Sequence, residues 1–187
     1  MDLTLDDWLE QHRGGRRVGI EGYSTVLRLD APITRDSLSE VEEATGYRFP
    51  EAYVRCVTEI GLPYLEVSRD RGEHSFGPLP ESRMLLPSEQ LEILSAFKTW
   101  VVNCTSDFDD DPVAAAEEQA RWDAFIPFQF LGDGSATDVY CFVRGDERDG
   151  LPRVVAAYHD DDACDEEEED ERIYGFFAHL QDVLDHT

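Results

Sequence analysis

Phe125-Ile126-Pro127-Phe128-Gln129-Phe130-Leu131 runs into Gly132-Asp133-Gly134-Ser135-Ala136-Thr137 and then Asp138-Val139-Tyr140-Cys141-Phe142-Val143. The first segment is apolar and aromatic, the composition of a strand. The glycines, aspartate and serine after it tolerate positive φ and bond their own backbone, so the chain turns there. Asp138 opens a second strand-like run. Residues 145–152 form another polar turn, and Arg153-Val154-Val155-Ala156-Ala157-Tyr158 reads as a third strand. Connections this short favour antiparallel neighbours, because a parallel return needs a long crossover. The expectation is an antiparallel core sheet over 126–131, 138–143 and 153–158.

Outward from this core, residues 159–171 contain ten acids in thirteen positions. Such like-charge runs stay solvated. Beyond it Ile173, Phe176, Phe177, Leu180, Val183 and Leu184 share one face of a helix, with Asp182 and Asp185 turned away. This helix is expected to bury Phe176, Phe177 and Leu180. Upstream, Thr34 is placed to cap a helix reaching Thr45, with Leu38, Val41 and Ala44 on one face and Gly46 as its stop. Pro50 suits the first turn of a second helix that carries Tyr53, Val57 and Ile60 and stops at Gly61. Residues 63–67 read as a short strand, 68–80 as a polar surface connection, and 88–101 and 113–122 as helices. At the start, residues 2–12 suggest a short amphipathic helix and 18–29 a further strand.

The chain has 187 residues, of which 41% are hydrophobic, enough for one core. Forty-two acids against sixteen bases leave a net charge of −26. That balance argues against nucleic acid or an anionic membrane as a direct partner, since counterion release needs clustered Lys and Arg. A basic protein partner fits the charge, but on composition alone a merely soluble acidic protein is the favoured account of it. Cys56, Cys104, Cys141 and Cys164 have no Cys-x-x-Cys spacing, so free thiols are expected. Met1-Asp2-Leu3-Thr4-Leu5-Asp6-Asp7 lacks the basic and apolar regions of a signal peptide, and no apolar run is long enough to span a bilayer. The expected location is the cytoplasm.

Catalytic and cofactor signatures are missing from the sequence. There is no Gly-x-Ser-x-Gly, no phosphate-binding glycine loop, no His-Glu-x-x-His and no zinc spacing. Asp107-x-Asp109-Asp110-Asp111 lacks the sixth-position Gly and twelfth-position Glu of a calcium loop. Asp133, Asp138, His159 and Asp160 are conceivable metal ligands, but Asp is the ordinary turn former and no second imidazole is near in sequence. No catalytic residue, cofactor or metal is expected, and the residues do not point to an enzyme.

Several of these residues occur together in a known pattern. Glu42 to Gly46, Phe49-Pro50-Glu51-Ala52-Tyr53, Ile126-Pro127-Phe128, Gly132-Asp133-Gly134-Ser135, Asp138, Tyr140-Cys141-Phe142 and Val154-Val155 resemble the SUKH superfamily, also called the Smi/Knr family. The resemblance covers residues 33–184. It departs from the pattern at Ala136-Thr137, where a second Gly is frequent, and at Ile60-Gly61-Leu62, where an Asn-Gly pair is frequent. The resemblance implies an α+β, SUKH-like fold: a central antiparallel sheet, helices packed on one face and a C-terminal amphipathic helix. Residues 1–32 are then an N-terminal extension and 33–187 the SUKH-like domain, one globular unit overall. It also implies function. Bacterial SUKH proteins are largely immunity proteins that bind and neutralise polymorphic toxin domains, often nucleases. The alternative is a Smi/Knr-type regulatory or scaffold module with no toxin partner. On the immunity reading, the partner-binding residues are Asp133, Asp138, Asp160, Asp161, Asp162, Asp165, Glu166, Glu167, Glu168 and Glu169, an acidic surface beside the turn at 132–135 facing a basic toxin domain.

Overall fold

Two antiparallel sheets are joined at one corner. The structure is a computed structural model, which describes residues 23–69, 76–105, 111–131, 138–158 and 173–186. The elements in order are β1 (Tyr23–Asp30), α1 (Arg35–Thr45), α2 (Glu51–Arg55) continued by a π-helical turn Cys56–Ile60, β2 (Leu62–Arg69) and β3 (Phe76–Arg83). After them come α3 (Pro87–Thr105), α4 (Pro112–Ala124), β4 (Phe125–Phe130), β5 (Val139–Arg148), β6 (Leu151–Ala157), β7 (Ile173–Tyr174) and α5 (Phe176–His186). One sheet has the order β1-β2-β3 and the other β4-β5-β6-β7. They meet where Met84 bridges Gln129 and the Leu85 N–H donates to the Phe128 carbonyl at 2.9 Å.

The three expected core strands are present and antiparallel, as β4, β5 and β6. The helices, however, cover both faces of their sheet rather than one. Ile126, Phe128, Phe142 and Val154 point to α1, α2 and α5. Phe125, Val139, Cys141 and Val155 point the other way, to Phe97 of α3 and Trp122 of α4. Successive strand residues alternate faces, so the unbroken apolar run at 139–143 requires a cover on each side.

The helix ends follow from local chemistry. The Thr34 hydroxyl accepts from the Ser37 N–H at the start of α1, and Gly46 ends it in the left-handed region at φ 67°. Leu38 and Val41 are fully buried, but Ala44 is exposed. Glu42 takes the expected place of Ala44 on the inner face. Its carboxylate accepts from Arg35 at 2.6 Å, Arg48 at 2.8 Å and the Phe49 N–H at 3.1 Å. Burial opposes ionisation of Glu42, yet these three donors together hold its carboxyl below the usual range. Pro50 sits one position earlier than expected, as the N-cap of α2.

The π-turn closes when the Gly61 N–H bonds the Cys56 carbonyl at 2.9 Å. Gly61 has φ 142°, and a Cβ there would collide with the Asp30 carbonyl oxygen. Glycine is therefore what lets the chain enter β2 directly against β1. A strand, β3, occupies part of the stretch expected to be a surface connection. Its prolines are tolerated because β3 is an edge strand over most of its length and its pairing with β2 is irregular.

Phe176 and Leu180 are buried as expected, at 2% and 4% exposure. Phe177 is only half-buried and packs on the rim of the core, because α5 turns Phe176 and His179 inward instead. Replacing Phe176 with Ala should cost about 3–5 kcal/mol in urea unfolding, and Phe177→Ala distinctly less. Equal losses for the two would contradict this placement of α5.

Candidate binding surface at the strand ends

The end of the second sheet is marked by one row of paired residues, Phe130, Val139 and Ala157. Just beyond it the Leu131 N–H donates to the Asp138 carbonyl at 2.9 Å. This bond ties the two ends of the 132–137 connection together. Tyr158 follows Ala157 at the same end, and the chain next enters β7 at Ile173, opposite Val154. The connections at 132–137 and 159–172 thus both leave the sheet from this edge.

Of the ten residues picked from the sequence, the structure describes Asp138 alone. It is half-buried and directly precedes β5. Asp133, Asp160, Asp161, Asp162, Asp165, Glu166, Glu167, Glu168 and Glu169 lie outside the described residues. Their flanking positions, Leu131, Asp138 and Tyr158, are brought together by strand pairing.

The same end carries residues the sequence reading did not select. Tyr158 is 36% exposed. Tyr140, half-buried, lies edge-on to the His179 ring with centroids 4.3 Å apart. Its hydroxyl is pushed up to about 12, chiefly by burial and further by the nearby Tyr158 and Asp182. Asp182 of α5, expected to turn away from the core, is instead half-buried and close enough to Tyr140 to act on its hydroxyl, one turn after the inward His179. Helical periodicity does not reveal this position of Asp182, and only strand pairing brings Tyr140 and Tyr158 to the same end.

Beneath this surface a polar chain crosses the core. The neutral His179 ring donates from Nε2 to Gln129 Oε1 at 2.9 Å, Gln129 Nε2 donates to Ser82 Oγ, and the Ser82 hydroxyl donates to the Phe130 carbonyl at 2.9 Å. Each donor finds an acceptor, so the buried chain is satisfied and fixes β4, α5 and the end of β3 relative to one another. Burial pushes the imidazole down to about 3.

Neither the buried imidazole nor the described thiols are open to a substrate. His179 is 1% exposed and committed to Gln129, which leaves it unable to reach a substrate as a base. Cys56 and Cys141 are buried free thiols, and burial pushes Cys56 up to about 12, far from a reactive thiolate. Among the described residues no three His, Cys, Asp or Glu side chains gather into a metal-binding group. No described helix is long and apolar enough to cross a membrane. The strand end instead offers phenol and carboxylate oxygens around an aromatic patch, a set matched to Lys and Arg side chains.

The family model described as SMI1 / KNR4 family (SUKH-1) matches residues 32–185. No curated protein and no solved structure matches the chain. β1 precedes the matched stretch and pairs with β2 along its whole length, from Tyr23 opposite Arg69 to Asp30 opposite Leu62.

The buried imidazole has a consequence for acid stability. Above pH 6.5, its ordinary value, His179 is neutral in both folded and unfolded chains and adds no pH dependence. As pH falls from 6.5 towards 3, only the unfolded chain takes up the proton, so the folded state loses stability. Between pH 7 and pH 5 the wild type should lose about 2 kcal/mol more than His179→Gln does. Parallel pH profiles for the two proteins in urea titrations would show that His179 is not buried neutral.

Proposed function

The chain belongs to the SMI1 / KNR4 family (SUKH-1), and from that premise we propose that it is an immunity-type protein that binds and neutralises a basic toxin domain, a nuclease by preference. The observation that carries this reading is the shared strand end. Asp138, Tyr158 and Asp182 stand where both acid-bearing connections leave the sheet, in a chain of net charge −26. A nuclease surface built to hold phosphate is basic and complements this edge.

Charge and anchoring have separate roles in this account. The acids at 160–162 and 165–171 draw the toxin in, over a Debye length of roughly 8 Å at physiological salt. Tyr158 and Tyr140 then supply the aromatic contact that holds it, since buried aromatic anchors dominate interface energy. Inhibition follows from occupation of the nuclease's phosphate-binding face. The protein does no chemistry of its own, and its location is the cytoplasm, where an incoming nuclease finds its substrate.

The test is kinetic, with the toxin domain that this reading expects to be encoded beside this chain. Replacing Glu166, Glu167, Glu168 and Glu169 together by Gln should slow association and flatten its salt dependence while dissociation changes little. Tyr158→Ala should act in the opposite sense, speeding dissociation about tenfold or more with association nearly unchanged. In cells, coexpression of the wild-type chain should restore growth to a host making that toxin. Failure to bind the neighbouring toxin, or binding insensitive to both sets of substitutions, would overturn the proposal.

A further inference from the structure

Well away from the strand end, α3, α4, the end of α1 and β5 enclose a half-open cleft of about 390 Å³. Its floor is apolar, made of Leu91, Leu94, Trp122 and Phe125, and its rim includes Lys98 and Arg144. These two cations are unusual in this molecule. Among the described side chains, Arg28 pairs with Glu66, Arg35 and Arg48 share Glu42, and Arg55 pairs with Glu59. Arg83 pairs with Glu89, Arg121 with Glu118 and Arg153 with Asp146, while Arg148 lies over the Tyr174 ring at 4.4 Å.

Lys98 makes no ion pair among the described residues, and Arg144 donates only to the Thr45 carbonyl, at 2.6 Å. In a chain with 42 acids, Lys98 and Arg144 line the same cleft with no carboxylate partner among the described residues, and both are exposed. Asp123, the carboxylate on that rim, is instead held by Gln119 Nε2 at 3.0 Å. An apolar floor edged by two cations that lack a carboxylate partner is complementary to an apolar group carrying a carboxylate.

We propose that this cleft is a docking site for a short acidic segment of a partner protein. An aromatic or leucine side chain of that segment lies on the Leu91, Leu94 and Trp122 floor, and an adjacent Asp or Glu pairs with Lys98 and Arg144. The site is opposite in sign to the strand end, so it selects a different kind of segment and stands independently of the immunity reading. A second copy of this chain is disfavoured as occupant, because two bodies of charge −26 repel.

The probes are the peptide acetyl-Glu-Phe-Glu-amide and its neutral counterpart acetyl-Gln-Phe-Gln-amide, titrated into the full chain and followed by backbone amide NMR. The acidic peptide should bind saturably, with shifts centred on Thr45, Lys98, Gln119 and Arg144, and should bind about tenfold more tightly than the neutral one. Lys98→Gln, which removes a charge and no described bond, should erase most of that preference while leaving thermal unfolding unchanged. Arg144→Gln should do the same, and its unfolding temperature shows whether loss of the Thr45 contact also disturbs the fold. Four results overturn the proposal: no saturable binding, equal affinity for both peptides, shifts elsewhere, or a preference that survives Lys98→Gln. A dimer seen by sedimentation and abolished by Lys98→Gln would overturn it too, since the occupant would then be a second copy.

Discussion

The packing of one tyrosine against three phenylalanines holds this fold together. Tyr53 of α2 lies 5.5 Å from Phe142 of β5, 5.8 Å from Phe128 of β4 and 5.3 Å from Phe176 of α5, all edge-to-face. Phe128 and Phe142 stack on each other across the strand pair at 4.1 Å. Four elements distant in sequence thus meet at one ring, and edge-to-face geometry adds to the area they bury. The tyrosine hydroxyl is placed as well, because Gln90 Nε2 of α3 donates to it at 3.2 Å and to the Pro127 carbonyl at 3.0 Å. Sliding α3 along the sheet breaks both bonds inside the core, where an unmet polar group costs about 1–3 kcal/mol.

The strand end depends on this core. His179 follows Phe176 by one helical turn, so the ring that seats α5 in the aromatic cluster also aims the imidazole at Gln129 and Tyr140. The polar chain through Ser82 then reaches the carbonyl of Phe130, the last residue of β4. A rigid edge suits the proposed function. Acidic connections of any conformation steer a basic partner, but a fixed aromatic patch is needed to hold it, because anchoring loses less entropy when the site is already ordered.

Much of this was legible in the sequence where local signals and burial agree. Thr34 and Gly46 bracket α1 because hydroxyl capping and the left-handed stop are short-range effects. The three strands around 125–158 declare themselves by turn residues at close spacing, and the resemblance built on Gly132 to Ser135, Tyr140 and Phe142 led to the family that the chain belongs to. Cover on both sheet faces was also written in the run 139–143, whose apolar character does not alternate. β3 was hidden, since Pro78 and Pro80 read as loop unless the strand is known to lie at an edge. Ala44 and Phe177 lie further out than expected for one reason: helical periodicity gives a stripe and not its exact centre, and the polar residues Glu42 and His179 take the inward positions. A lone buried Glu or His leaves no pattern, because its partners are either short-range accidents such as Arg48 or distant in the chain such as Gln129.

The central claim, that partner binding occurs where β4, β5 and β6 end, is tested most directly by hydrogen exchange on the chain alone and in complex with the toxin domain proposed as its partner. The account predicts new protection at Leu131, at 138–140 and at Tyr158, with α5 protected around Asp182 and the cleft at Lys98 and Arg144 unchanged. Protection confined to α1, α3 and α4, with the strand ends exchanging as in the free protein, would contradict it.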